Sequence, residues 1–90
     1  MSQSSELRRT VTLPDGVPLH ARPAGSLVRA AASLDATVVL NGNGRTADAS
    51  SILQVLALGV EGGTSVEVVT SGAGASEALD AIAGLLETLE

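Results

Sequence analysis

The sequence contains no cysteine, no phenylalanine, tyrosine or tryptophan, and no lysine; it has one histidine, and its single methionine is residue 1. Without cysteine, disulfides and thiolate metal sites are excluded, and a fold that manages without cross-links is compatible with the cytoplasm. Without aromatics, the core has to be built from leucine, valine, isoleucine and alanine. Without lysine, five arginines stand against ten acidic residues, a net charge of −5 that argues against nucleic acid as the ligand. No apolar run approaches the ~20 residues of a membrane span. The start "MSQSSELRRT" is polar and charged and carries no secretory pattern. The expectation is a soluble, cytoplasmic protein. The 90 residues make a single domain over 1–90, with 1–5 disordered.

What is present has a clear order. "LRRTVT" alternates, with Leu7, Arg9, Val11 and Leu13 on one face and Arg8, Thr10 and Thr12 on the other, and stops at Pro14, Asp15 and Gly16. From Ala21 to Leu34 the spacing predicts a helix with Ala24, Leu27, Val28, Ala31 and Leu34 on its apolar stripe. "ATVVLNGNGRTADA" holds two strands joined by a turn within Asn41 to Gly44, because Asn-Gly tolerates positive φ. "SSILQVLALG" predicts a short helix with a serine N-cap and a C-terminal glycine. "TSVEVVT" is a strand with Val66 and Val68 on one face and Glu67 and Val69 on the other. "SEALDAIAGLLETLE" is a closing helix with Leu79, Ile82, Leu86 and Leu89 as its seam. The order βαββαβα, with helices on one face of a mainly antiparallel sheet, is a two-layer α+β sandwich.

The chemistry concentrates in "PLHARPA", residues 18–24. Pro23 suits a first helical turn, where a missing N–H costs nothing, so a helix begins between His20 and Pro23. His20 then stands at the positive end of that helix, where free N–H groups favour an anion, and Arg22 can grip an oxyanion through two hydrogen bonds. A neutral imidazole there can attack phosphorus, and phosphoryl transfer needs mainly positioning and charge stabilisation. The residues alone also allow His20 to be only a cap or a surface side chain. A metal site is disfavoured, since one histidine without a carboxylate cluster falls short of the usual ligand count.

"LHARPA" resembles the active-site signature of the HPr family, the histidine-containing phosphocarriers of the phosphoenolpyruvate-dependent sugar phosphotransferase system, and the likeness in element order runs from about Leu7 to Leu89. The resemblance implies an open-faced sandwich of four antiparallel strands with three helices on one face. It implies that His20 takes a phosphoryl group on Nδ1 from phosphorylated enzyme I and passes it to enzyme IIA proteins, with Arg22 holding the phosphate oxygens. Such a protein needs no cofactor and no metal, does not enter the membrane, and is a carrier, with the catalytic machinery supplied by its partners. A monomer is expected, since the docking face must stay free.

The second helix is apolar nearly all round, with Gln54 its one polar residue after the serines, so some of Ile52, Leu53, Val55, Leu56 and Leu58 face solvent. That reads as a docking patch or as core packing. By resemblance Ile52, Leu53 and Leu56 meet partners, joined by Arg22, Arg29 and Arg45; positions where relatives carry lysine hold Ala32 and Gln54 here. Ser51 with Gln54 makes a capping box, each side chain satisfying the other residue's N–H. By resemblance it is also a candidate for regulatory phosphorylation, although Ser50 replaces the basic residue usual before that serine. Pro18 stands where the family carries glycine and stiffens the approach to His20. Two alternatives stay open. One is a regulatory binding module of the same fold that carries no phosphate; the other is a carrier dedicated to a nitrogen-related or dihydroxyacetone kinase relay.

Overall fold

The structure is a computed structural model and describes residues 6–16 and 21–88. His20, Pro18, Leu89 and residues 1–5 lie outside the described residues. The elements are β1 (Leu7–Thr12), α1 (Ala21–Ala32), β2 (Thr37–Gly42), β3 (Arg45–Asp48), α2 (Ile52–Ala57), β4 (Ser65–Ser71) and α3 (Ala75–Glu87). The strands form one antiparallel sheet in the order β1-β4-β2-β3. This is the expected open sandwich: the helices and the sheet close on a core of Leu13, Leu27, Leu40, Leu58, Ile82 and Leu86, all at most 2% exposed. Burying each such side chain contributes about 1.5–3 kcal/mol.

Alternation along β1 sorts its side chains as the sequence pattern requires. Val11 is buried on the helix side, and Arg9 on that same side reaches Asp80 of α3 at 2.8 Å. On the uncovered side, Arg8 meets Glu6 and Glu67, and Thr12 Oγ1 lies 3.3 Å from Ser65 Oγ. Val69, also on the uncovered side, is nonetheless buried, because β4 is flanked on both edges and Val69 stands between Arg8 of β1 and Val39 of β2.

The β2–β3 turn is the residue pair Asn43 and Gly44, with φ of 53° and 73°. Positive φ at both central positions is the turn whose twist matches the strands, and it requires residues of this kind. The register Gly42↔Arg45 and Leu40↔Ala47 then turns Ala47 into the core.

α1 ends at Ala32, not at Leu34 as its periodicity suggests. Ser33 and Leu34 donate their N–H groups to Ala30 and Ala31, three residues back, and the Ser33 hydroxyl also takes the Ala30 carbonyl at 2.8 Å. This tightening satisfies the terminal carbonyls and stops the helix, while Leu34 still packs against the core.

Candidate functional site

α1 opens with "ARPAG", so Arg22 lies in its first turn, exposed, in a turn that holds no acidic residue. In the sequence, His20 directly precedes Ala21, the first described residue of α1. Pro23 accounts for a helix start here, since its fixed φ is helical and its missing N–H is one that no helix would use. The first-turn N–H groups, which a helix leaves without intrahelical partners, and the Arg22 guanidinium together favour a negative group at the start of α1.

The five arginines divide into two sets. Arg8 and Arg9 are tied to carboxylates of Glu6, Glu67 and Asp80. Among the described residues, Arg22, Arg29 and Arg45 form no ion pair. Arg29 folds back along α1, its Nη1 only 3.6 Å from where a Cβ on Gly25 would stand, so its charge lies toward the Arg22 end of the helix. Arg45 stays exposed, but Nη1 donates to the Ala57 carbonyl at 2.8 Å, at the C-terminal end of α2.

α2 packs on α1 and presents the apolar surface its composition demands. Leu53 is 77% exposed, and Ile52 and Leu56 are each 37% exposed, while Val55 is fully buried. Of the two readings of this helix, the structure makes Val55 and Leu58 core and leaves Ile52, Leu53 and Leu56 on the surface.

The start of α2 differs in one respect from a reciprocal capping box. Ser51 Oγ accepts from the Gln54 N–H at 3.3 Å, as expected, but Gln54 Oε1 accepts from the Asp48 N–H at 2.8 Å and not from Ser51. The Ser51 N–H is already engaged by the Asp48 carbonyl, so the glutamine serves the preceding turn instead. Asp48 anchors that turn: Oδ1 accepts from the Ser50 hydroxyl at 2.7 Å and the Ser50 N–H at 2.9 Å, which holds its carboxyl below the usual carboxylate range.

A cleft of about 230 Å³ lies at the other end of α1, lined by residues that include Ala31, Leu34, Val38, Asp48 and Ser50, away from Arg22. Among the described residues no group of three or more histidine, cysteine, aspartate or glutamate side chains is placed to hold a metal, and no helix is long and apolar enough to cross a membrane. Sequence reasoning missed Asn43 as anything beyond a turn residue; its side chain also binds the end of α2, which an Asn-Gly signal cannot reveal.

Residues 7–88 match the family model described as the PTS HPr component phosphorylation site. A phosphocarrier protein HPr from Vibrio cholerae is 35% identical over 71 residues, covering 79% of this chain and 84% of the relative. The crystal structure of a phosphocarrier protein HPr from Bacillus anthracis superposes with a TM-score of 0.88 at 29% identity, covering 92% of this chain and 99% of that one. An HPr dimer from Thermoanaerobacter tengcongensis superposes with a TM-score of 0.69 at 28% identity, covering 83% of this chain and 86% of that one. The open sheet, the helix opening on "ARPAG" and these likenesses agree: the chain belongs to the HPr family, the phosphocarrier components of the phosphotransferase system.

Proposed function

We propose that the protein carries a phosphoryl group on His20, taken from phosphorylated enzyme I and delivered to enzyme IIA components of phosphoenolpyruvate-dependent sugar uptake. The observation that carries this reading is Arg22, exposed in the first turn of α1 with no carboxylate partner among the described residues and no acidic residue in that turn. A cation and a helix N-terminus directly after the imidazole suit an arriving anion. His20 Nδ1 attacks phosphorus as the bond to the donor breaks, and the same bond to nitrogen breaks when the acceptor attacks. Arg22 carries oxyanion charge in both directions.

Ile52, Leu53 and Leu56 form the docking patch, with Arg22, Arg29 and Arg45 as its basic surroundings, and an acidic protein in which these cations form no ion pair among the described residues presents them to acidic partners. The chain works as a monomer with this face free, in the cytoplasm. Ser51 is first a helix cap; a phosphate there would stand beside the patch and repel an acidic partner.

The test is intact mass after incubation with phosphoenolpyruvate and a catalytic amount of enzyme I from the same organism. One acid-labile phosphoryl group, absent from His20→Ala, is the expected result. Labelling that persists in His20→Ala contradicts the assignment, and no labelling with an active enzyme I favours the non-carrier regulatory module.

A further inference from the structure

α2 has six residues and buries one of them, Val55. A helix so short is not stable by its own hydrogen bonds, and one buried side chain gives it little anchorage, so its ends have to hold it. Ser51 closes the N-terminal end. The C-terminal end is closed from outside the helix: Arg45 Nη1 donates to the Ala57 carbonyl at 2.8 Å, and Asn43 Nδ2 donates to the carbonyls of Leu58 at 2.8 Å and Gly59 at 2.9 Å. Three successive carbonyls, two at the helix end (Ala57 and the C-cap Leu58), which a helix leaves without intrahelical partners, and one just beyond it (Gly59), are thus taken by two side chains of the β2–β3 hairpin.

The turn does not require this of Asn43. Glycine satisfies a positive φ at least as well as asparagine, and only asparagine brings a donor. Arg45 likewise spends part of its guanidinium on α2 and does not hold it wholly toward solvent.

We infer that Asn43 and Arg45 are positioning residues: the hairpin clamps the C-terminal end of α2 and thereby sets the orientation of the Ile52, Leu53 and Leu56 patch that meets a partner. The inference rests on the docking role proposed above for that patch. It assigns Arg45 an effect on docking through the helix it holds, in addition to its charge.

Asn43→Gly is the direct test, because it keeps the turn and removes the donors. Asn41→Ala is its control: Asn41 bonds Glu67 and Thr46 on the uncovered sheet face, so its loss removes two hydrogen bonds without touching α2. Two readouts are needed, both at a temperature where each variant is folded. One is amide exchange of Leu58 and Gly59, whose N–H groups bond back into α2, against amides of α3. The other is affinity for enzyme I at several salt concentrations.

In Asn43→Gly the α2 amides should exchange about tenfold faster with α3 unchanged, and docking should weaken about tenfold. The weakening should be the same at every salt concentration, since no charge is lost. Asn41→Ala should alter neither readout. Unchanged α2 exchange in Asn43→Gly overturns the clamp. Faster α2 exchange with unchanged docking overturns its role in docking, provided that Leu53→Glu docks poorly in the same assay. If Leu53→Glu also docks normally, the docking patch itself is refuted, and the positioning role falls with it.

Discussion

α2 and α3 lie on the same side of one sheet and are built from the same few residue types, yet they do opposite work. α3 buries Ala75, Ala78, Leu79, Ile82, Ala83 and Leu86 over its 13 residues and binds the sheet through its apolar face. α2 buries Val55, turns Leu53 outward at 77% exposure, and is held chiefly by hydrogen bonds at its two ends. The cations follow the same division. Arg9 is spent on Asp80 of α3, while Arg22, Arg29 and Arg45, on or beside α1 and α2, form no ion pair among the described residues. Apolar surface and cations without an ion pair among the described residues, retained together near α1 and α2, are what the docking role proposed above requires.

The largest effect that would sharpen this contrast is a cavity under α3. Ile82→Ala should cost about 2–5 kcal/mol and lower Tm by many degrees, while the folded fraction docks normally; denaturant melts and binding measured on the same samples decide it. Next is the end of α2. Ser51→Ala removes the hydroxyl that takes the Gln54 N–H and should cost about 1 kcal/mol in a denaturant melt, with faster exchange confined to the start of α2. A smaller effect is expected at the α3 pair: Arg9→Ala should cost no more than about 1 kcal/mol, because both partners are exposed.

The smallest effect is a pH dependence at the turn into α2. The folded protein holds the Asp48 carboxyl below its ordinary value through the Ser50 hydroxyl and N–H. A depressed folded pKa means that this stabilisation is fully present above the ordinary carboxylate pKa, near 4, and is lost as pH falls from there through the lower folded value. The Ser50 amide resonance should report that titration, and Asp48→Asn should abolish it; a shift already complete well above pH 4 would contradict the sign.

Most of this architecture was legible in the residues. Alternation put Val11 and Leu13 on one face and Val66 and Val68 on one face, and those faces are the buried ones; two Asn-Gly pairs located the hairpin; the seam Leu79, Ile82, Leu86 gave the buried face of α3. What escaped depends on contacts distant in sequence. The end of α1 is set by a local competition for the Ala30 and Ala31 carbonyls that periodicity does not register. Gln54 turns to Asp48 because Ser51 is already satisfied by a backbone carbonyl. Asn43 and Arg45 meet α2 only after the chain has folded back across fifteen and twelve residues respectively. At the site, a two-turn helix with more apolar residues than one stripe can bury required that some of Ile52, Leu53, Val55, Leu56 and Leu58 face solvent; that these are Ile52, Leu53 and Leu56 was implied by the family resemblance alone.

The most direct test of the division between the two helices is the Leu53→Glu variant, with enzyme I affinity and Tm measured on the same preparation. A large loss of affinity with Tm within a degree or two of the parent is the predicted result. A marked fall in Tm with affinity unchanged would contradict it, and would make α2 a part of the core like α3.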